Sequence, residues 1–369
     1  MKNNLVAVLD FGSSKICVLV GKKGANNGFN ILASETIEYA GYMQSKFLLE
    51  GRLKEEIESI IEIVQLKLNE KIDRFFVGVP AEFASNELEE VEVDFKIPTR
   101  LKQKQLDELL SKVEGLEKPN KTLVSKAPVE FIINNEKSVL SPVGETISSL
   151  KCLVSEVFVS DYFISIVGDI LTELGIDDYQ FISAEQVMGV TLLDNDERET
   201  GAILIDIGYI STSIFVAKGE GITKLKSFSM GGGHITSDLA EVLDLEYEVA
   251  EELKRKLILT LKPNAIDTYE VGKDKKLAIS SRTANEIAYA RIDLIAETIE
   301  KNLKKIGETD LNKPIYLTGG GLSYMKGIKY YLRNKLKREI KLVAPAPLQL
   351  HKYELSSAVS VLNIACDFV

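Results

Sequence analysis

Tryptophan is absent from this chain of 369 residues, histidine occurs twice and cysteine three times. So few histidines argue against a metal centre built on imidazoles. Cys17, Cys152 and Cys366 are odd in number, far apart and without metal-ligand spacing. They are expected to be reduced thiols of the core, not a disulfide framework. No apolar run approaches the roughly 20 residues of a membrane span. The opening Met1-Lys2-Asn3-Asn4, followed by a five-residue apolar segment, lacks the form of a secretory leader, so a cytoplasmic protein is expected. Excess positive charge is also missing: 45 basic against 55 acidic residues leave a net charge of −10. That balance repels phosphate backbones, and nucleic acid is not expected as a partner.

What is present is a repeated pattern. Leu5 to Leu9 runs into Asp10-Phe11-Gly12-Ser13-Ser14, and Ala202 to Ile205 runs into Asp206-Ile207-Gly208. A buried strand that delivers one carboxylate, then a glycine, then hydroxyls suits a polyphosphate and its magnesium. The chain is longer than one core usually organises, so two lobes are expected, each opening on one of these turns.

The spacing of apolar residues predicts strands at Leu5–Leu9, Ile16–Val20, Phe29–Glu38 and Phe75–Val79, with a helix over Leu53–Leu68. From Ala81 to Ser160 charged alternating segments, a helix near Lys102–Val113 and strands at Val129–Ile133 and Leu150–Val159 read as an inserted α+β unit. Helices follow at Asp161–Leu174, stopped by Gly175, and at Ala184–Leu193. Asp194 to Arg198 reads as a polar hinge. Strands at Gly201–Ile205, Ser213–Ala217 and Lys224–Met230 repeat the opening layout, which implies duplication. Gly231-Gly232-Gly233 opens a helix that the charged stretch Glu246–Lys256 continues, and Leu257 to Ile279 reads as short strands. A long helix over Asn285–Ile306, a strand at Pro314–Thr318 leading into Gly319-Gly320-Gly321, a helix at Met325–Leu336 and an apolar helix at Ser356–Phe368 complete the chain.

Each turn has two readings. At the first, Gly12 lets backbone amides approach a phosphate, Ser13 and Ser14 offer hydroxyls, Lys15 adds charge and Asp10 holds magnesium through water, or the segment is a hairpin with a polar tip. At the second, Asp206 and Gly208 keep the same relation and Ser211, Thr212 and Ser213 restore hydroxyls, or the segment is a plain strand end. Gly319 to Gly321 either admits a base or ribose or shapes a loop. Gly231 and Gly232 carry the same ambiguity. Glu251 and Lys254, three apart on a helix, form an ion pair or touch a ribose. Gln186 is a candidate for orienting a nucleophilic water, with Glu185 as its competitor.

Taken in order, these segments resemble the actin, Hsp70 and sugar-kinase superfamily, with its phosphate-1, phosphate-2 and adenosine motifs. Within it the chain is similar to the bacterial cell-division family FtsA. Asp10-Phe-Gly-Ser-Ser-Lys-Ile16, Met230-Gly-Gly-Gly-His-Ile-Thr-Ser-Asp-Leu-Ala240, Ala250-Glu-Glu-Leu-Lys254 and Thr318-Gly-Gly-Gly-Leu322 carry that resemblance. It implies an α/β, actin-like two-lobed fold of duplicated ribonuclease-H-like subdomains with an inserted α+β IC subdomain. The implied division is subdomain IA at 1–79, 161–195 and 341–369, IC at 80–160, IIA at 196–240 and 303–340, and IIB at 241–302. It also implies ATP and Mg2+ between the lobes, with Glu251 and Lys254 on the nucleoside and Gly319, Gly320, Gly321 and Leu322 in the adenosine turn. Self-assembly into filaments follows from it, as does recruitment of the tubulin-like FtsZ through a C-terminal peptide. The family's membrane tether would use an anchor not evident in this chain. Arg291 and Lys301, on the basic face of the long helix, could pair with that acidic peptide.

Three features depart from the family pattern. The second turn carries Tyr209 and Ile210 in place of small residues and Ser213 in place of its closing acid; Gly233 replaces a common acid; and the sequence stops just after its last helix, where the family is expected to continue to an amphipathic membrane helix. The altered second turn predicts slow or absent ATP hydrolysis, while Gly233 changes local charge only, so the expected function is assembly at the division site. The rivals are a pilus-type actin-like adaptor, a small-molecule kinase of the same superfamily and a nucleotide-free scaffold.

Overall fold

The structure is a computed structural model that describes residues 5–24, 28–113, 115–139, 141–260, 266–272, 276–346 and 351–368. It opens on β1 (Leu5–Phe11), β2 (Lys15–Lys23) and β3 (Phe29–Glu38), an antiparallel meander. The near-continuous apolar run of β1 is what a strand covered on both faces requires. A small hairpin of β4 (Tyr42–Met43) and β5 (Lys46–Phe47) leads to α1 (Glu50–Leu68). Its buried stripe, Leu53, Ile57, Ile60, Ile61 and Val64, follows the helical period. Asn69 then adopts a left-handed conformation, φ 51°, and turns the chain into β6 (Arg74–Val79), which lies parallel to β1.

The insertion is a second sheet. Long β7 (Ala84–Arg100), α2 (Gln103–Ser111), β8 (Lys121–Ile133), β9 (Lys137–Val139) and β10 (Thr146–Ser160) build it in the order β7-β10-β8-β9. Its own small core gathers Phe131, Ile147, Leu150 and Val154 beside Leu101 and Leu106. The chain returns through α3 (Asp161–Glu173), capped by the Ser160 hydroxyl, then β11 (Asp178–Ser183) and α4 (Ala184–Leu192). Where a hinge is expected, α5 (Asn195–Glu199) forms instead. Asp194 accepts from the Glu197 amide at 2.9 Å and Glu197 accepts from the Asp194 amide at 3.1 Å, a reciprocal cap strong enough to hold one helical turn.

The second lobe repeats the first. β12 (Ala202–Ile207), β13 (Thr212–Lys218) and β14 (Gly221–Phe228) form an antiparallel meander. After α6 (Gly232–Leu243) the helix does not continue, because Asp244 turns left-handed at φ 51° and α7 (Tyr247–Lys256) starts afresh. β15 (Thr268–Val271) and β16 (Leu277–Ser280) pair in the region expected to hold short strands; its residues 261–265 and 273–275 lie outside those described. The 25-residue α8 (Ser281–Lys305), β17 (Ile315–Thr318), α9 (Ile328–Leu336), β18 (Ile340–Leu342) and α10 (Ser356–Ala365) follow.

The two large sheets have one topology, β11-β6-β1-β2-β3 and β18-β17-β12-β13-β14, each a meander flanked by two parallel strands. The registers coincide at the acids: Asp10 lies between Cys17 and Gly78, and Asp206 between Ser213 and Thr318. The chain's end closes the first lobe, with Val359, Val361 and Leu362 of α10 packed on Val6, Val8 and Leu19. All three cysteines are buried and free. No helix among the described residues is long and apolar enough to cross a membrane.

Candidate nucleotide cleft

The ends of β1 and β12 come together: the Ile210 amide after β12 reaches Ser13 after β1, and the Asp10 charge acts on Asp206. Asp10 and Asp206 sit at the bottom of the cleft, and Glu185, in the first turn of α4, lies close enough to feel both charges. Burial raises all three carboxyls: Asp10 to about 6, offset in part by a hydrogen bond from the Ser357 hydroxyl; Asp206 to about 7, with Asp10 adding; and Glu185 to about 8. Glu185 Oε1 accepts from the Ala81 amide at 3.0 Å, whereas among the described residues its buried Oε2 has no partner. Gln186 faces elsewhere: its Nε2 approaches the Glu220 carbonyl at 3.5 Å, in the turn between β13 and β14. The side chain that looks into the cleft from α4 is therefore Glu185.

The loops that follow the acids are tight hairpins. The Gly12 amide donates to the Lys15 carbonyl at 2.9 Å, and the Gly208 amide to that of Ser211 at 2.9 Å. The Ser13 hydroxyl accepts from the Ile210 amide at 2.9 Å and so joins the two loops directly. Ser14 gives its carbonyl to the Tyr39 amide at 3.2 Å. Lys15 turns outward to Glu38, 3.6 Å away. Thr212 donates to the Met230 carbonyl at 2.7 Å, a purely internal contact.

Glycines line the second lobe's side. At Gly319, φ is +92° and an added Cβ would collide with Asp206, so only glycine lets this strand end approach the acid. The amides of Gly232 and Gly321 donate to the carbonyls of Gly208 and Ile207, at 2.9 and 2.8 Å, and Gly231 packs on the same turn. Gly320 faces Glu354, and Leu322 is fully buried in the second lobe's core. Glu251 and Lys254 form a short pair of 2.6 Å, and Lys254 also donates to the Gly232 carbonyl at 3.2 Å. Burial pushes the Glu251 carboxyl up, but Lys254, Thr236 and Arg255 outweigh it and hold the group below its usual range. Tyr209 lies over this pair, its ring centroid 5.0 Å from Lys254 Nζ.

Arg291 and Lys301 do not form one patch. They are ten residues apart on α8, about 15 Å along its axis, and the Arg291 guanidinium is committed to both oxygens of Asp238 at 2.6 and 2.7 Å.

Sequence reasoning overlooked Glu82, which follows β6, and Ser357. Glu82 accepts from the Ser229 hydroxyl at 2.5 Å across the lobes, and Ser357 reaches Asp10 from 347 residues away. No local pattern announces either contact.

Two duplicated sheets that each deliver an acid and a glycine turn into a shared cleft define an actin-like ATPase fold. Solved structures agree. The chain is similar to the PilM-PilN type IV pilus biogenesis complex, with a TM-score of 0.65, 15% identity and 98% of each chain covered. It is also similar to MreB5 of Spiroplasma citri bound to AMPPNP, at 0.57 and 11% over 99% of this chain and 96% of that one, and to the MamK double helical filament, at 0.53 and 14% over 97% and 99%. By sequence, the family model "Cell division protein FtsA" matches residues 203–360. The FtsA of Staphylococcus epidermidis is 22% identical over 100% of this chain and 80% of its own length; those of Bacillus subtilis and Neisseria meningitidis are 22% and 23% identical over 99% and 98% of this chain and 84% and 90% of theirs. Over its whole length the chain is similar to FtsA proteins, and its fold is actin-like.

Whether the cleft suits magnesium and ATP divides into two questions. The floor suits a hydrated cation: Asp10 and Glu185 are buried there and Asp206 half-buried, and among the described residues one Glu185 oxygen has no partner. Among the described residues no three acids, histidines or cysteines stand close enough to ligate a metal directly, so a magnesium ion there would keep its water shell. Tyr209 covers Glu251 and Lys254, the residues that the resemblance assigns to a nucleoside.

Proposed function

We propose that this chain is an assembly adaptor of bacterial division, which self-assembles through its actin-like lobes and links FtsZ to the division-site membrane. The observation that supports it best is the similarity to FtsA over the whole chain, together with a sheet inserted after β6 in a duplicated actin-like frame. The proposed division keeps subdomain IA at 1–79, 161–195 and 341–369, IC at 80–160, IIA at 196–240 and 303–340, and IIB at 241–302. ATP with Mg2+ remains the proposed cofactor pair, magnesium being held through water by Asp10 and Asp206. Hydrolysis is proposed to be slow or absent. Glu185, not Gln186, is the better candidate to act on a water, since it alone faces the acids. On α8, Lys301 remains available to an acidic FtsZ peptide and Arg291 does not.

The test measures fluorescence anisotropy of a labelled FtsZ C-terminal peptide with the full chain, alongside electron microscopy of the purified protein. Saturable peptide binding and polymers are expected. Binding of a pilus membrane protein's N-terminal peptide in place of the FtsZ peptide would transfer the reading to a pilus-type adaptor. Phosphoryl transfer to a metabolite would transfer it to a kinase.

A further inference from the structure

Two consecutive residues, Tyr209 and Ile210, contact the residues that the resemblance assigns to nucleoside and phosphate. The Tyr209 hydroxyl lies 2.9 Å from that of Tyr247 and 3.4 Å from Glu251 Oε2, while the ring stacks 5.0 Å from the buried Lys254 ammonium. The ring also packs against α6, where a Cβ at Gly233 would come within 2.7 Å of Cε1. The absence of an acid at residue 233 is what makes room for it. One residue further, the Ile210 amide is spent on the Ser13 hydroxyl at 2.9 Å, and the Ile210 side chain faces Gly41 of the opposite lobe.

These contacts satisfy groups that a nucleotide would otherwise use. A backbone amide beside a turn glycine and a serine hydroxyl are phosphate donors, and here each is matched to the other across the lobes. A lysine over a π-face is the pairing that an aromatic ring offers a cation. The lobes are fastened elsewhere too: the Ser155 hydroxyl donates to the Ile222 carbonyl at 2.6 Å, and Ser229 to Glu82 at 2.5 Å.

We propose that Tyr209 and Ile210 act as an internal ligand of the cleft, the ring replacing a nucleoside on Glu251 and Lys254 and the amide replacing a phosphate on Ser13, so that the lobes stay closed and the chain assembles without nucleotide. This rests on reading the cleft as that of an actin-like assembly protein. ATP with magnesium then binds only by displacing Tyr209, and its apparent affinity is reduced by the small fraction of molecules in which the ring is out.

The test is calorimetric titration of Mg-ATP into the full chain and its Tyr209→Ala and Tyr209→Phe variants, with pelleting of the wild type with and without Mg-ATP. The wild type should bind weakly and pellet alike in both conditions. Tyr209→Ala should bind at least about tenfold tighter, and Tyr209→Phe, which keeps the ring but loses the hydroxyl contacts, should fall between them. Hydrogen exchange supplies an arm that does not depend on the alanine variant folding: the Ile210 amide should be protected without nucleotide and lose protection in Ser13→Ala. Tight wild-type binding equal to that of Tyr209→Ala, polymer formed only with ATP, or an unprotected Ile210 amide would each overturn the proposal. Failure to bind the FtsZ peptide would instead strike the adaptor reading and leave these nucleotide results readable on their own.

Discussion

Substituting Glu185 by glutamine should make this protein more stable at alkaline pH and change little under acidic conditions. In the fold this carboxyl is raised from 4.5 to about 8, chiefly by burial, with backbone hydrogen bonds opposing and the charges of Asp206 and Asp10 adding. A carboxyl raised in the folded state keeps a proton that the unfolded chain has already released. Stability therefore falls as pH rises from the unfolded value to the folded one. Between pH 5 and pH 8 the loss from Glu185 alone is on the order of 3 to 4 kcal/mol. Asp206 and Asp10 add to the fall over the lower part of the same window. Glutamine keeps the acceptor for the Ala81 amide and has nothing to titrate. Urea unfolding midpoints at both pH values, in buffer containing a chelator, give the slopes. The wild type should lose stability steeply and Glu185→Gln should lose markedly less; magnesium in place of chelator should flatten the wild-type slope more than that of the variant. A wild type equally stable at pH 5 and pH 8, or a variant with the wild-type slope, would refute the argument that an unpaired acid cluster forms the floor of the cleft.

Phe163 stands at the centre of the first lobe's aromatic cluster, 5.5 Å from Phe11, 5.7 Å from Phe47 and 4.8 Å from Phe83 between ring centroids. Its replacement by alanine should cost about 3–5 kcal/mol in chemical denaturation. Gly319→Ala forces a side chain into a left-handed residue pressed against Asp206, and should destabilise by more than about 1 kcal/mol in the same measurement. Arg291→Ala removes a partly exposed pair with Asp238 and should cost about 1 kcal/mol or less while leaving FtsZ-peptide anisotropy unchanged. Lys301→Glu should weaken that binding instead.

The parts of this molecule that read easily from sequence are those set by local chemistry. Leu5 to Leu9 and Phe29 to Glu38 follow the patterns of a covered strand and an edge strand, and the stripe from Leu53 to Val64 can only be one face of a helix. The strands Asp178–Ser183 and Ile340–Leu342 escaped, because each is half-buried and becomes a strand by pairing with β6 or β17, far away in the chain. The helix at Asn195–Glu199 escaped for the opposite reason: five polar residues carry no period, and only the reciprocal cap between Asp194 and Glu197 marks it.

At the cleft the division is finer. Asp10 and Asp206 were legible because each ends an apolar strand before a glycine, and each holds the same register position in its own sheet. The choice between Glu185 and Gln186 was not legible, since neighbouring residues in a helical first turn point about 100° apart and only the position of α4 on the sheet decides which faces the acids. Tyr209 carried a visible signal whose meaning lay elsewhere. A bulky residue in a phosphate turn reads as damage to a binding site when the turn is considered alone. Placed against Glu251, Lys254 and the bare backbone of Gly233, it reads as a contact that a side chain at residue 233 would have prevented. The departures at residues 209 and 233 are therefore coupled, and restoring an acid at 233 should expel the ring as surely as removing the tyrosine. Gly233→Asp in an otherwise unchanged chain should raise Mg-ATP affinity in calorimetry, and a loss of affinity there would show that the two substitutions are independent.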